Sequence, residues 1–240
     1  MLGVGDVMKI AILRAGKVDP VLLSNHSEYP DMISRLLLKK DNRLQFTYFD
    51  VQNKELPSNI HDFDAYIITG GKDSVFDGYH WIAECSNFLL EANSLNKKLI
   101  GICFGHQLLA QTFGGRVKRS KKGWGLGATE FDIYKQKTWM LPKRLNFTLL
   151  VSHQDQVVSL PKGAQLLAGN TFCPNACFQL DGNILGMQGH PEFSKKFLTE
   201  LMSTRTGHIN SASINKAQRS LQSVTHENVI AGWLIAFIAE

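Results

Sequence analysis

The stretch Lys98-Leu99-Ile100-Gly101-Ile102-Cys103-Phe104-Gly105-His106-Gln107-Leu108-Leu109-Ala110 constrains this chain more than any other. A short apolar run stops at a cysteine set between Gly101 and Gly105, and Leu108, Leu109 and Phe113 follow at helical spacing. The pattern predicts a strand, a sharp turn and a helix. Such a turn lifts one side chain out of the backbone at the carboxyl edge of a sheet, where the first free N–H groups of the helix face it. Strained elbows of this kind present the serine of hydrolases; here the side chain is a thiol, and a helix N-terminus favours the thiolate. The two glycines let neighbouring backbone pass close by. For an isolated cysteine the plainer reading is a buried core residue at a strand end, so a chemical role for Cys103 requires a base.

A second apolar strand, Ile184 to Gln188, runs into Gly189-His190-Pro191-Glu192-Phe193, ahead of a helix predicted from Ser194. A histidine and a carboxylate thus stand at another strand exit. With Cys103 they complete a relay in which thiolate attacks, imidazole moves the proton and carboxylate fixes the imidazole tautomer. Pro191 stiffens the step between His190 and Glu192. Taken singly, His190 or Glu192 would be an ordinary loop residue. Upstream, the strand predicted from Asp62 to Ile68 ends in Thr69-Gly70-Gly71-Lys72-Asp73. These paired glycines serve one of two purposes: a positive φ in a turn, or an approach close enough to place N–H donors about 3 Å from a tetrahedral oxygen.

Gly101-x-Cys103-x-Gly105-x-Gln107, the later His190-Pro191-Glu192 and the earlier Thr69-Gly70-Gly71 resemble the class I glutamine amidotransferase domain. The likeness is to the glutaminase domain of GMP synthase and its single-domain relatives, and runs in order from the strand near Met8 to the helix after His190. It implies that Cys103 is the nucleophile that forms a γ-glutamyl thioester, His190 the base and Glu192 the residue that orients it. It further implies an oxyanion hole from the N–H groups of Gly71 and Phe104, and a substrate contact from Gln107. Ser152-His153-Gln154-Asp155 resembles the family segment Ser-His-Gly-Asp that lines the glutamine pocket, with Gln154 where glycine is usual. The implied substrate is glutamine or a γ-glutamyl compound; no cofactor and no metal are required. The leading expectation is hydrolysis of the glutamine side-chain amide, with ammonia passed to a separate synthetase subunit. Two alternatives stay open: a stand-alone γ-glutamyl hydrolase or peptidase, and an inactive binding or regulatory module on the same fold.

Composition bounds what else the chain can be. At 240 residues it can bury a substantial core, so a single domain over residues 8–240 is the default. Its 26 Lys and Arg against 21 Asp and Glu leave +5, spread along the chain apart from Lys118-Arg119 and Lys121-Lys122, which reads as a solvated loop. That excess is too mild to imply nucleic acid as a partner. Four cysteines, at 85, 103, 173 and 177, form no secreted disulfide framework in a chain of this length, and Cys173 and Cys177 lack a second pair at zinc-finger spacing. There is no signal-like N-terminus and no apolar run long enough to span a membrane, so a soluble cytoplasmic protein is expected.

The remaining pattern predicts an α/β fold, a mostly parallel sheet flanked by helices with a strand-rich extension. Lys9 to Leu13 is a buried strand, Arg14 to Tyr29 a long loop suited to shaping a substrate entrance, and Pro30 opens a helix with Met32, Ile33, Leu36 and Leu37 on its buried face. Leu44 to Val51 is the next strand, and Trp81 to Leu95 a helix. From Gly114 glycines punctuate short strands at Thr129–Tyr134, Phe147–Val151, Val157-Val158, Gln165–Ala168 and Ala176–Leu180. Trp124, Phe172 and Phe178 read as packing residues. Thr204 to Ser211 reads as a loop covering the site, His226 to Ala239 as a terminal helix, and His208 and His226 as surface histidines.

Overall fold

A computed structural model of the chain describes residues 7–240; the expectation of no leader segment falls partly on residues 1–6, which lie outside the described residues. In chain order the elements are β1 (Lys9–Arg14), α1 (Tyr29–Leu38), β2 (Gln45–Asp50), β3 (Ala65–Ile68), α2 (His80–Ser94), β4 (Lys98–Ile102) and α3 (Phe104–Thr112). There follow β5 (Arg116–Arg119), β6 (Gly125–Ile133), β7 (Asn146–His153), β8 (Asp155–Ser159), β9 (Gln165–Gly169), β10 (Cys177–Leu180) and β11 (Ile184–Met187). The chain then forms α4 (Lys195–Ser203), α5 (Ser211–Ser220) and α6 (Glu227–Ala239).

Nine strands form one sheet in the order β2-β1-β3-β4-β11-β10-β9-β6-β7. The half from β2 to β11 is parallel, and the half from β11 to β7 is antiparallel. The expected strand-rich extension is therefore the second half of the same sheet. Strands β5 and β8 pair outside it, antiparallel.

Period-two alternation divides the core. Ile10 and Ile12 of β1, Ala65 and Ile67 of β3, and Ile100 and Ile102 of β4 face one side, packed with Ile33 and Leu37 of α1 and Trp233 and Phe237 of α6. Ala11, Leu13, Tyr66, Ile68 and Leu99 face the other, against Cys85 and Leu89 of α2 and Leu108 and Leu109 of α3. Both faces of the central strands are dry, which is why these strands read as continuous apolar runs.

Two elements escape the sequence pattern. The basic stretch at Arg116–Arg119 is a strand, held by backbone pairing to β8, and Arg119 turns toward Asp155; the expected solvated loop is corrected there. Helix α5 has few apolar residues and buries only Ala217, so it offers little apolar face to read; its start is marked by Asn210, whose Oδ1 accepts the Ser213 N–H at 2.9 Å. The loop after β1 is pinned at several points: the Val18 N–H donates to Glu28 at 3.0 Å, and His26 meets Glu200 of α4 at 2.9 Å. His226 is tied in as well, its Nδ1 accepting the Thr148 N–H at the free edge of β7 at 2.9 Å. Among the described residues no helix is long and apolar enough to cross a membrane.

Candidate active site

Cys103 stands between β4 and α3 with φ 52° and ψ −101°, a conformation that a side-chain-bearing residue rarely adopts. The elbow is fixed from every side. The Cys103 N–H donates to Met187 O at 2.8 Å, the Gly105 N–H to Thr69 O at 3.2 Å, and the Gln107 N–H to Cys103 O at 3.1 Å. The flanking glycines are required by space and have ordinary φ: a Cβ on Gly101 would lie 2.3 Å from the Gly105 carbonyl, and one on Gly105 2.4 Å from Ile68 O. Helix α3 thus lies directly on β3 and β4, and its N-terminus points at the thiol.

His190 leaves β11 and is held by its backbone: its N–H donates to Leu150 O at 2.8 Å in an isolated antiparallel bridge to β7. Its Nδ1 meets Glu192 Oε1 at 2.7 Å, and the Glu192 side chain is wholly buried. Phe193 stacks flat on the imidazole, ring centroids 3.8 Å apart. Gly70 packs close to the same ring: a Cβ there would lie 2.7 Å from His190 Cε1 and 3.6 Å from Cys103 Cβ. Gly70 and Gly71 are therefore glycine for close approach, and neither has a positive φ. A Cβ on Gly71 would meet Ala15 O at 2.9 Å. Burial on its own pushes the His190 imidazole down; the negative charges of Glu192 and Cys103 and hydrogen bonds to both outweigh it and hold His190 well above the usual histidine range.

Cys103 opens into a cavity of about 350 Å³ that Gly71, Gln107 and all four residues from Ser152 to Asp155 also line. Phe104 packs its ring against Trp81 at 5.4 Å and leaves its backbone at the head of α3. Gln107 is buried, its Nε2 donating to Asp155 O at 2.9 Å and to Gln188 Oε1 at 3.2 Å. Asp155 accepts from Ser74 Oγ and, at 3.4 Å, from Arg119 Nε. His153 Nδ1 meets Asp155 O at 3.1 Å, and burial pulls its pKa down to about 4, so it is neutral in ordinary buffers. The other three cysteines are buried free thiols that burial pushes up to about 12.

Over residues 21–204 the sequence matches the family described as glutamine amidotransferase class-I. The chain belongs to that family. Gamma-glutamyl peptidase 4 of Arabidopsis thaliana is 31% identical over 190 residues, covering 74% of this chain and 75% of the relative. The glutamine-hydrolyzing GMP synthase subunit of Methanosphaera stadtmanae is 30% identical over 180 residues, covering 72% and 87%. The crystal structure of a glutamine amidotransferase from Thermotoga maritima shares the fold, with a TM-score of 0.77 over 98% of this chain and all of that one, at 16% identity. This class I amidotransferase domain is an enzyme.

Several cavity residues of the domain carry no signal in the sequence. Arg205, in the connection between α4 and α5, donates to Ser152 Oγ at 2.7 Å and lies over the Trp124 ring, 5.5 Å from its centroid. Trp124 is therefore a cavity wall as well as a packing residue. His208 from the same connection also lines the space, as the expected cover over the site requires. No residue of the loop 15–28 does so, and the expectation that this loop shapes the entrance is corrected; it supports Gly71 from behind, a Cβ on Gly16 falling 2.6 Å from Gly71 Cα.

Proposed function

We propose that this enzyme hydrolyses γ-glutamyl amides through a Cys103 thioester and that its substrates are γ-glutamyl peptides. The carrying observation is the buried 2.7 Å contact between His190 and Glu192 beside a thiol held at a positive-φ elbow on the floor of an open cavity. Cys103 thiolate attacks the γ-carbonyl carbon, and the N–H groups of Gly71 and Phe104 take the developing oxyanion. The tetrahedral adduct collapses, the C–N bond breaks, and His190 protonates the departing amine. Glu192 keeps the imidazole in the tautomer this needs. Water then gives a proton to His190 and attacks the thioester, releasing glutamate and restoring the thiolate. Gln107 Oε1 and the Ser152–Asp155 segment receive the glutamyl end.

The peptide reading draws its support from the cavity rim. Lys72, Arg119 and Arg205 all line it, and Arg205 has no carboxylate partner among the described residues. An unpaired guanidinium already aimed by Ser152 and Trp124 suits a carboxylate on the leaving side of the scissile bond. The similarity to gamma-glutamyl peptidase 4 points the same way. A second reading, release of ammonia from glutamine for a synthetase, is favoured by the similarity to the glutamine-hydrolyzing GMP synthase of Methanosphaera stadtmanae. The discriminating measurement is kcat/KM for glutamine against γ-glutamyl dipeptides and glutathione, with and without a GMP-synthase-type synthetase. A preference for the peptides that the synthetase leaves unchanged is expected; a glutamine preference that rises when the synthetase is added sinks the peptide reading.

A further inference from the structure

Gln188 is fully buried two residues before His190, and its backbone N–H is committed to Ala176 O at 2.8 Å. Its side-chain amide lies between Gln107 and the Cys103 sulfur, and the direction of that amide is dictated by a chain of constraints. A backbone carbonyl only accepts, so the Gln107 amide that meets Asp155 O at 2.9 Å presents its nitrogen there. The same nitrogen reaches Gln188 Oε1 at 3.2 Å. With its oxygen so engaged, Gln188 turns its own nitrogen to Cys103 Sγ, 3.4 Å away. The origin of the chain is itself fixed: Asp155 is held through its side chain by Ser74 and Arg119, and its carbonyl also receives His153 Nδ1. Flipping either glutamine would set like atoms against each other at a buried contact.

We propose that Gln188 donates a hydrogen bond to the Cys103 thiolate, and that the Asp155 carbonyl, acting through Gln107, fixes the direction of that donation. This rests on the reading of Cys103 as nucleophile and adds a group to it. His190 cannot serve the sulfur throughout the cycle, because its proton leaves with the amine. The Gln188 N–H stays through the acyl-enzyme, when His190 is neutral, and meets the charge that returns to sulfur alongside the His190 that water has reprotonated. A donor to a charged acceptor strengthens as the charge develops, which is the condition for assisting a step. The arrangement also assigns the otherwise puzzling commitment of Gln107, whose nitrogen is engaged within the protein and whose oxygen alone remains for substrate.

The test is the pH dependence of Cys103 alkylation by iodoacetamide in the full chain, followed by peptide mass so that the other three cysteines are counted separately. Gln188→Met keeps the length of the side chain and removes the donor. Gln107→Glu, when ionised, reverses the relay: a carboxylate only accepts, so the Gln188 nitrogen turns toward it and the Gln188 oxygen turns to the sulfur. Both variants are expected to move the alkylation profile to higher pH by about one unit, roughly a tenfold slower reaction at neutral pH, the scale of a hydrogen bond to a charged group. Gln107→Glu also brings a negative charge near the sulfur, which raises the profile by itself, so should Gln188→Met fail to fold, the neutral Gln188→Leu takes its place and decides. Wild-type profiles in the folded variants overturn the inference while leaving the triad untouched. If instead Cys103→Ser retains turnover, it is the proposed function that fails, whatever the alkylation profiles show.

Discussion

Cys103 pays for its position in backbone strain. A residue held at φ 52° and ψ −101° costs on the order of 1–3 kcal/mol, and it persists because β4, α3 and the Met187 carbonyl over-determine it. Glycine adopts the same φ without that penalty. Cys103→Ala and Cys103→Gly should both abolish turnover, and the glycine variant should be the more stable of the two by about 1 kcal/mol in urea unfolding. Equal stability would show that the elbow stores no strain. At His190 the consequence is a pH dependence. Because the carboxylate and thiolate charges raise this imidazole above its ordinary value of 6.5, it stays protonated through neutrality, and the alkaline limb of kcat/KM for γ-glutamyl substrates should lie well above the histidine range. Glu192→Gln removes one of the two charges that raise it, so the limb should move to lower pH along with a fall in turnover. A limb that stays in place would separate Glu192 from the proton transfer. The elbow around Cys103 and the His190–Glu192 pair were each legible because each depends on a few neighbours along the chain; that the two belong together came from the family resemblance, not from local pattern. Gln188 and Arg205 were not. Their partners lie 85 and 53 residues away, and only the register of β11 on β4 and the path of the chain after α4 bring them together.

Among the elements, the contact between α3 and the sheet sets the site. Gly101→Ala forces a methyl to 2.3 Å from the Gly105 carbonyl, backbone that cannot yield cheaply, so α3 must lift from β4. A loss of about 2–4 kcal/mol and of activity is expected, read by urea unfolding and by turnover. Gly232, within α6, is the opposite case: nothing lies within 4 Å of a Cβ built there. Gly232→Ala should stabilise by about 0.5–1 kcal/mol with turnover unchanged, since only helix propensity is altered. Destabilisation by Gly232→Ala would mean that α6 makes a close contact the fold does not display. Apolar periodicity announced the elements with a buried face, α1, α2, α3, α4 and α6. It could not announce β5, whose residues are largely charged and whose strand conformation comes from pairing with β8, or α5, which buries little. Propensity and pattern report burial, and these two elements are specified by hydrogen bonding and capping instead.

Across the whole molecule the cavity is assembled from chain segments widely separated in sequence: Gly71–Ser74 after β3, the elbow before α3, Arg119 at the end of β5 and Trp124 just before β6, Ser152–Asp155 from the end of β7 into β8, and Arg205 with His208 beyond α4. The sequence showed that strands dominate after Gly114; it could not show that they extend the parallel sheet, since strand order is set by pairings between distant segments. A ligand in such a cavity binds only the folded chain and stabilises it by mass action, by about 2.7 kcal/mol at a hundred times its Kd. For a chain of this size that corresponds to a rise of about 5–10 °C in Tm. Cys103→Ser should show such a rise with a γ-glutamyl dipeptide bearing a free terminal carboxylate, and a smaller one with glutamine at equal concentration. Adding Arg205→Met removes the cation assigned to the leaving side, so the dipeptide shift should collapse toward that of glutamine, whose own shift should change little. If both shifts fall equally, Arg205 holds the shared glutamyl end, the rim offers nothing to the leaving group, and the preference for peptides loses its structural support.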